Sequence, residues 1–354
     1  MKEQKNNHLV IMAGGIGSRF WPLSTKDCPK QFIDVLGCGR TLIQLTVDRF
    51  DGICSMENIW IVTSEKFAPL VRSQLPEISD DNILMEPCRR NTAPCIAYVS
   101  WKIKSKFPNA NIVVAPSDHI VMNVKEFQRV IKSSLQFIKN SDAIVTLGMK
   151  PNRPETGYGY IEADLTISSP ANNELYRVDS FKEKPDLDLA KEYFKKNNYF
   201  WNSGIFIWNV HTVINAFRVY QPSIAKIFES MLPIFYTDKE QQVVDEKFPQ
   251  CENISVDYAI MEYAEDVFVF PADFGWSDLG TWGSLYIQQT KDLRSNAVIG
   301  KNISIYKSDN CMVFSNQEKK VVVIGMRDCI VAEHDNQLLV CNMLDEQLIK
   351  NFSE

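Results

Sequence analysis

A short apolar run that ends in a glycine-rich loop constrains this chain more than any other part of its sequence. Residues 9–12 are apolar, as in a buried strand of a parallel sheet. Three glycines follow within residues 14–17, and glycine lets a backbone take positive φ and approach a ligand closely. Successive N–H groups in such a loop form an anion-binding concavity. Arg19 and Lys30 add positive charge nearby, so the stretch predicts a polyphosphate site.

The two common glycine loops do not fit this stretch. A dinucleotide-binding loop has the pattern G-x-G-x-x-G, and here Phe20 stands where the third glycine would be. A P-loop needs a lysine directly after its last glycine, but Gly17 is followed by Ser18 and Arg19. A turn that ends a strand without binding a ligand is the structural alternative for adjacent glycines. The neighbouring cations favour the phosphate site over that alternative.

The amino-acid sequence of the loop resembles the signature of the sugar-phosphate nucleotidyltransferases. Residues 13–24 read Ala-Gly-Gly-Ile-Gly-Ser-Arg-Phe-Trp-Pro-Leu-Ser, and residues 29–32 read Pro-Lys-Gln-Phe. Within that superfamily, the Trp-Pro-Leu-Ser and Pro-Lys-Gln-Phe segments are similar to those of the mannose-1-phosphate guanylyltransferases. The rest of the chain tests this resemblance.

The order of apolar and amphipathic segments predicts an α/β fold. Alternation of this kind is the βαβ rhythm of a parallel sheet, in which ligands bind beyond the carboxyl ends of the strands. We expect a Rossmann-like mixed, mostly parallel sheet flanked by helices, which is the nucleotidyltransferase fold, with a small C-terminal β unit. In the first half, strands are predicted at residues 58–63, 111–115 and 143–147, and helices at 41–50, 65–73, 92–106 and 124–139.

The pattern changes twice further along the chain. From about residue 151, strands at 157–163, 176–183 and 200–209 suggest an antiparallel or mixed insertion, and a helix is expected to begin near Ser255. After about residue 294 the chain is β-rich. We therefore predict a catalytic domain over residues 1–293, with about 151–270 contributing the sugar-phosphate side. A small β domain follows over 294–354, and the resemblance suggests a short β-helix there, used for packing or dimer contacts.

Composition limits the possible partners and compartment. With 354 residues the chain can bury a full α/β core, and its net charge of −6 argues against a general nucleic-acid or membrane-surface binder. The first seven residues contain no apolar stretch of a secretory signal. The nine cysteines are odd in number and contain no Cys-x-x-Cys pair, which favours core thiols over disulfides or zinc. We expect a cytoplasmic protein without nucleic-acid or membrane partners.

Two aspartates are candidate metal ligands. Asp118 directly follows an apolar run that ends in Pro116-Ser117, and Asp278 lies in the sequence Gly-Trp-Ser-Asp-Leu-Gly-Thr. Taken alone, each aspartate could instead form a turn or cap a helix. A carboxylate that faces a polyphosphate is what a magnesium site needs. The resemblance implies that Asp118 and Asp278 together hold Mg²⁺.

Residues 86–94, Glu-Pro-Cys-Arg-Arg-Asn-Thr-Ala-Pro, are a third candidate. Their structural interpretation is a capped core helix that begins near Thr92, preceded by a solvated arginine pair. The resemblance favours recognition of the base and ribose by this loop. The nucleotide contacts that it implies are Ala13, Gly14, Gly15, Gly17, Ser18, Asn91, Thr92, Ala93 and Ser117.

Three later motifs suggest a sugar-phosphate half-site. They are Thr-Gly-Tyr-Gly-Tyr-Ile-Glu at 156–162, Phe-Lys-Glu-Lys-Pro at 181–185 and Trp-Asn-Ser-Gly-Ile-Phe at 201–206. Each could be structural: a glycine turn, a solvated charge run or a strand cap. Their order matches the family, and the resemblance implies sugar contacts from Gly159, Glu183, Asn202 and Ser203. Lys184 would then hold the sugar phosphate.

The implied reaction joins GTP and mannose 1-phosphate to give GDP-mannose and pyrophosphate, by metal-assisted in-line attack on the α-phosphate. Its catalytic residues would be Arg19, Lys30 and Lys184, and a homodimer is expected. Three alternatives stay open: another nucleotide or sugar 1-phosphate on the same fold, a nonenzymatic nucleotide-sugar-binding regulatory subunit, and a dehydrogenase. The missing third glycine disfavours the dehydrogenase.

Overall fold

The structure is a computed structural model that describes residues 6–15, 17–182, 184–315 and 318–352. Glu183 and the side chain of Ser18, two of the predicted contacts, lie outside this described part. The strands are β1 (Asn7–Met12), β2 (Ile59–Ser64), β3 (Ile83–Glu86), β4 (Asn111–Pro116), β5 (Ile120–Val121), β6 (Ile144–Met149), β7 (Tyr160–Ser169), β8 (Asn172–Lys182), β9 (Tyr199–Asn209), β10 (Val267–Ala272), β11 (Trp276–Ser277), β12 (Ala297–Ile299), β13 (Ile303–Tyr306), β14 (Met312–Ser315), β15 (Val321–Ile324), β16 (Cys329–His334) and β17 (Gln337–Asn342).

The helices are shorter than a membrane span. The α-helices are α1 (Leu42–Asp48), α2 (Ala68–Gln74), α3 (Thr92–Lys106), α4 (Val124–Ile138), α5 (Leu187–Lys195), α6 (Val210–Tyr220), α7 (Pro222–Glu229), α8 (Glu240–Lys247) and α9 (Trp282–Gln288). Short 3₁₀ helices lie at Ser18–Phe20, Lys30–Phe32, Met56–Asn58, Glu65–Phe67, Asp80–Asn82, Phe248–Gln250 and Met343–Asn351, and a π-helix at Asp257–Met261. Within the described ranges, no helix is long and apolar enough to cross a membrane.

The chain forms two compact units, each assembled from separate stretches. The first, which we call the sheet unit, comprises Met1–Gly14, Val47–Pro116 and Val121–Trp276. The second, the loop unit, comprises Gly15–Thr46, Ser117–Ile120 and Ser277–Glu354. The predicted boundary near residue 293 separates an expected catalytic domain from an expected β domain, whereas the two units here are defined by packing. That boundary therefore stays a prediction.

A nine-stranded sheet is the centre of the sheet unit. Its strand order is β3-β2-β1-β4-β9-β6-β10-β8-β7. Parallel pairs join β1 to β2 and β4, β2 to β3, and β6 to β10, whereas β8 and β9 run against the other strands. The segment after residue 151 therefore pairs antiparallel, and it joins the main sheet. A mixed α/β sheet in which most strands share one direction confirms the predicted fold class.

Helices cover both faces of this sheet because its strands are apolar on both sides. On one face, α3, α6 and α7 share a core with strand residues such as Val10 and Trp60. On the opposite face, α4 lies over β10, where the rings of Phe137 and Phe268 are 5.4 Å apart. Strands β3 and β10 and helix α8 were not expected: β3 has only four residues, and β10 contains Pro271.

The loop unit combines distant segments around a core of its own. Phe20 and Leu23 from the glycine-loop stretch pack with Trp282 of α9 and with Ile349 near the C-terminus. In the C-terminal part, β12, β14 and β16 pair in parallel, as do β13 and β15, so successive strands alternate between two sheets. β17 pairs antiparallel with β16. The small C-terminal β unit is thus confirmed, and the short β-helix stays a prediction that this alternation supports.

Candidate active site

Lys30 is the centre of the charged cluster in the loop unit. Its Nζ lies 3.0 Å from Oδ2 of Asp118 and donates to the backbone carbonyls of Asp278 at 2.7 Å and Leu279 at 2.9 Å. The lysine is only 5% exposed. A buried ammonium requires partners of this kind, because unpaired burial of a charge is costly. Three stretches that are far apart in the sequence therefore meet at one cation.

The glycine loop packs directly against this cluster. Gln31 donates from Nε2 to the carbonyl of Gly15 at 2.9 Å, and Ser24 donates its hydroxyl proton to the carbonyl of Gly17. Gly17 has φ of +62°, and a Cβ there would lie 2.7 Å from Cβ of Lys30. Both its conformation and its close approach to Lys30 thus require glycine.

Asp118 is held in its ionised form. Burial by itself raises the pKa of this carboxyl, but the nearby charges of Lys30 and His119 lower it, and the net pKa lies below the ordinary value of 3.8. The side chain keeps 27% of its exposure, and Oδ1 lies 3.8 Å from Nε2 of His119. Asp118 therefore carries negative charge at neutral pH and remains accessible.

The donor set at this cluster fits magnesium. Asp118 and Asp278 offer carboxylate oxygens, and Oδ1 of Asp278 accepts a hydrogen bond from the amide of Gly280 at 3.0 Å. Among the described residues, no group of three or more His, Cys, Asp or Glu side chains forms a metal cage. Magnesium commonly uses one or two protein carboxylates together with phosphate oxygens, so a pair of aspartates suffices.

Two further predicted contacts belong to the loop unit. Arg19 is exposed in the helix Ser18–Phe20, and its role stays a prediction. Ser117 is 2% exposed, and its carbonyl accepts from Oγ1 of Thr46 at 3.3 Å. The hydrogen bond places the backbone of Ser117, next to Asp118, in the interior of the unit.

In the sheet unit, Ala13 and Gly14 continue β1 toward the glycine loop. The amide of Ala13 donates to the carbonyl of Val62 at 2.8 Å, and its carbonyl accepts from Oγ1 of Thr63 at 3.0 Å. A Cβ added to Gly14 would lie 3.6 Å from Oε2 of Glu86. Glu86 ends β3, so its carboxyl group lies beside the start of the loop.

Glu86 carries a buried carboxyl group with a strongly raised pKa. Its Oε1 is buried without a hydrogen-bond partner in the described structure. Burial raises its pKa to about 8, despite opposing contributions from Cys95 and Arg89. A perturbed, incompletely paired carboxyl group is typical of a binding site. The sequence contained this residue in a candidate motif, but its importance depends on β3, which was too short to predict.

The predicted base-recognition residues are tied into the start of α3. Asn91 has φ of +65° and accepts from the Thr92 amide at 2.9 Å. Oγ1 of Thr92 accepts from the amide of Val256 at 2.8 Å, and the amide of Ala93 donates to Ile254 at 3.1 Å. These contacts show the structural role of the segment, and its nucleotide contacts stay predictions.

The structure brings Gly159 and Asn202 together on the predicted sugar side. The carbonyl of Gly159 accepts from the amide of Asn202 at 2.8 Å. The Asn202 side chain donates from Nδ2 to Asp257 at 2.7 Å and accepts from the amide of Gly204 at 3.0 Å. Asp257 thereby fixes the orientation of the Asn202 amide group, a role that the sequence did not indicate because the two residues are far apart in the chain.

The other two sugar-side candidates have contrasting environments. Ser203 is fully buried, and its hydroxyl donates to the carbonyl of Leu147 at 2.8 Å. Lys184 is exposed and has φ of +39°, a left-handed conformation that is uncommon for a residue with a side chain. Ser203 is thus suited to holding the strand in place, whereas Lys184 is open to solvent and its ligand contact stays a prediction.

Comparison with known proteins agrees with the motifs. The sequence pattern of the family described as Nucleotidyl transferase matches residues 8–295. A mannose-1-phosphate guanylyltransferase of Escherichia coli is 34% identical over 347 residues, covering 97% of this chain and 74% of that protein. The mannose-1-phosphate guanylyltransferase 2 of Escherichia coli O157:H7 is 35% identical over 353 residues, with coverage of 98% and 72%.

A solved structure extends the similarity to the whole fold. The crystal structure described as mannose-1-phosphate geranyltransferase from Thermus thermophilus has a TM-score of 0.87 and 28% identity, and it covers 98% of both chains. The resemblance seen in the glycine loop and the aspartate motifs is confirmed at the level of the family. The chain belongs to the nucleotidyl transferase family.

Proposed function

We propose that this protein is a mannose-1-phosphate guanylyltransferase, which makes GDP-mannose and pyrophosphate from GTP and mannose 1-phosphate. The observation that carries the proposal is the buried Lys30, which joins the carboxylate of Asp118 to the backbone of residues 278–281, which we call the Asp278 loop. A structural protein has little need for this cation-and-carboxylate set beside a glycine loop. Relatives at 34% and 35% identity that are named mannose-1-phosphate guanylyltransferase support the choice of substrates.

In the proposed reaction, an oxygen of the sugar 1-phosphate attacks the α-phosphorus of GTP. The new P–O bond forms as the bond to the β-phosphate breaks, and pyrophosphate leaves with its electron pair. The attacking phosphate is already ionised at neutral pH, so no serine or cysteine nucleophile is required. The protein contributes by aligning the reactants and neutralising developing charge.

The loop unit supplies the phosphate contacts in this proposal. The amides of Gly15, Gly17 and Ser18, with Arg19 and Lys30, bind the triphosphate and the departing pyrophosphate. Magnesium, the metal we propose for Asp118 and Asp278, neutralises phosphate charge when it is bound. Lys30 is restrained by three partners, which occupy the three N–H donors of its ammonium group, so a phosphate oxygen would replace one of these partners when it binds. Ser117 supports the backbone from which Asp118 projects.

The sheet unit supplies the base and sugar contacts. Guanine presents two adjacent N–H donors on its pairing edge, and a carboxylate can accept both. We assign Glu86 to that edge because one of its oxygens has no partner in the described structure. Ala13, Gly14, Asn91, Thr92 and Ala93 complete the nucleotide contacts.

The sugar phosphate is assigned to the second half of the sheet unit. Lys184 holds the phosphate group, while Gly159 and Asn202 contact the sugar hydroxyls, with Ser203 supporting their strand. Glu183 is assigned to the hydroxyls by resemblance alone. We also propose a homodimer in the cytoplasm, where nine free thiols are stable.

A substrate panel tests the proposal directly. Purified protein is incubated with Mg²⁺, one nucleoside triphosphate and one sugar 1-phosphate, and pyrophosphate release is measured for every pair. We expect release to be fastest with GTP and mannose 1-phosphate. A different best pair would replace the assigned substrates, and binding of GDP-mannose without release from any pair would favour a regulatory subunit.

A further inference from the structure

The C-terminal 3₁₀ helix, Met343–Asn351, is bonded to the helix that follows the Asp278 loop. Oε2 of Glu346 accepts a hydrogen bond from the amide of Gly283 at 2.7 Å. Gly283 is the second residue of α9, which begins four residues after Asp278. The contact joins positions 63 residues apart in the sequence, so it is a feature of the tertiary fold.

The local geometry favours this contact. The first amides of a helix have no partners within the helix. At α9, Thr281 accepts from the amide of Ser284 at 3.2 Å, and Glu346 accepts from Gly283. A Cβ on residue 283 would lie 3.0 Å from Oε2 of Glu346. The absence of a side chain at Gly283 therefore allows the carboxylate to approach the helix.

The same C-terminal helix also packs near the glycine loop. It contacts both the helix Ser18–Phe20 and α9, and Ile349 is buried in the core that contains Phe20 and Trp282. Trp282 donates from Nε1 to the carbonyl of Trp21 at 3.2 Å. One C-terminal segment is thus connected to both the Arg19 and the Asp278 stretches of the proposed site.

The Asp278 loop is consequently held at its two ends. Lys30 binds the carbonyls of Asp278 and Leu279 at its beginning, and Glu346 binds Gly283 just beyond its end. We propose that Glu346 is a positioning residue that fixes the start of α9 and thereby the carboxylate of Asp278. This inference rests on the proposed metal-binding role of Asp278. It gives the C-terminal unit a part in catalysis, in addition to packing or dimer contacts.

Two substitutions distinguish positioning from general stabilisation. Glu346→Ala removes the acceptor, whereas Glu346→Gln keeps a carbonyl oxygen that can accept from Gly283. We expect Glu346→Ala to raise the Mg²⁺ concentration for half-maximal pyrophosphate release about tenfold, a size typical of a hydrogen bond to a charged group. The KM for mannose 1-phosphate should change by less than about twofold, because the lost hydrogen bond lies on the metal side of the proposed site. Glu346→Gln should restore most of the Mg²⁺ response.

Hydrogen exchange provides a readout that needs neither metal nor turnover. The amide of Gly283 should exchange faster in Glu346→Ala than in the wild type and should regain protection in Glu346→Gln. Gly283→Ala, which pushes the carboxylate away, should reproduce the Glu346→Ala behaviour. Asp345→Ala is the matched control, since it removes one charge from the neighbouring exposed position, and both readouts should stay at wild-type values.

The outcomes separate this inference from the proposed function. If Glu346→Ala exposes the Gly283 amide but leaves the Mg²⁺ requirement unchanged, the positioning role is wrong. Equal losses in Glu346→Ala, Glu346→Gln and Asp345→Ala would also overturn it, because they would reflect charge alone. Failure of the proposed metal role would be seen independently, as wild-type turnover in Asp278→Asn.

Discussion

The loop unit and the sheet unit carry predicted site residues of different physical character. In the loop unit, formal charges face one another: Lys30 is 3.0 Å from Asp118 and is nearly inaccessible to solvent. In the sheet unit, most candidates are amides, hydroxyls and glycines that already have backbone partners, such as Asn91 and Ser203. The charged cluster suits phosphate and metal, whereas the neutral groups suit a base and a sugar.

This contrast has an energetic consequence. Charges that are fixed before a ligand arrives need not be reorganised, which favours stabilisation of a transition state. Neutral hydrogen bonds contribute less to rate but discriminate between substrates, because a wrong substrate leaves a buried polar group unpaired. Substitutions in the loop unit should therefore lower turnover, and those in the sheet unit should change substrate preference.

Asp278→Asn should produce the largest effect. It removes the charge of one of the two proposed metal ligands while keeping an oxygen that can accept from Gly280. We expect pyrophosphate release to fall by roughly 10²–10³-fold, as when one preorganised electrostatic contact is removed, with an unchanged melting temperature. Asp273→Asn, the same change at an exposed position, is the control. Near-normal release by Asp278→Asn would contradict the metal assignment.

Lys30→Met should affect both turnover and stability. It leaves the partly buried Asp118 carboxylate without its cation, and the expected loss in unfolding free energy is about 2 kcal/mol, less than for a fully buried pair because the Asp118 side chain is 27% exposed. Denaturant unfolding measures this loss, with the exposed Lys26→Met as the control. A loss equal to that of Lys26→Met would mean that the ion pair is not a preformed part of the site.

The stability difference should also depend on pH. In the wild type, Lys30 holds the pKa of Asp118 below 3.8, so Asp118 stabilises the fold above that pH and stops doing so as pH falls through its lowered pKa. Without Lys30, burial raises the pKa, and protonation relieves the unpaired charge. The gap between wild type and Lys30→Met should therefore shrink from pH 7 toward pH 3. A constant gap would contradict the electrostatic explanation.

Glu86→Gln should change the choice of nucleotide. A glutamine cannot offer two acceptors to guanine, so we expect the preference for GTP over ATP to fall roughly 30-fold, the range for a charged hydrogen bond. Ratios of kcat/KM for the two nucleotides measure the change, and the exposed Glu77→Gln serves as the control. Unaltered discrimination would remove Glu86 from the base site.

The same carboxyl group predicts a pH effect on GTP binding. Glu86 has a pKa of about 8 in the free protein, and accepting two N–H groups requires its ionised form. GTP affinity should therefore increase as pH rises from 6 toward 8 and level off above that value. In Glu86→Gln this part of the profile should be flat. Calorimetric titration with GTP between pH 6 and about pH 9 measures the affinity of both proteins.

The sequence predicted local segments well and their assembly less completely. Helix α3 was expected at residues 92–106 and is observed as Thr92–Lys106, because its apolar spacing and its Asn91 cap are local signals. Asp118 and Asp278 were paired by resemblance, and no local pattern could have placed Lys30 between them. The contacts of Asp257 with Asn202 and of Glu346 with Gly283 depend on tertiary packing alone.

The β3 strand illustrates why the base site was harder to predict. Its four residues are too few for periodicity to define a strand. Where β3 pairs with β2, Glu86 lies opposite Ser64, the last residue of β2. The raised pKa of Glu86 is then produced by burial, which a sequence pattern does not measure. Charge and glycine patterns therefore predict a phosphate site more readily than they predict Glu86 as a base contact.

Lys184→Ala tests the contrast between the two units at a single side chain, because Lys184 is the cation of the sheet unit to which we assign a catalytic role. If it binds the sugar phosphate, the KM for mannose 1-phosphate should rise about tenfold, with smaller changes in kcat and in the KM for GTP. Lys182→Ala, which removes the same charge from an exposed site on β8, should leave both KM values unchanged.

The backbone of Lys184 offers a way to separate charge from conformation. Its φ of +39° suits glycine better than alanine, so Lys184→Gly should be at least as stable as Lys184→Ala. If the lost charge causes the effect, the two variants will show the same rise in KM for mannose 1-phosphate. If Lys184→Gly restores the wild-type KM, the backbone turn matters and the charge does not. A change confined to the KM for GTP would instead assign Lys184 to the triphosphate, as Lys30 is assigned. It would contradict the proposal that the loop unit binds the triphosphate and the sheet unit binds the sugar phosphate.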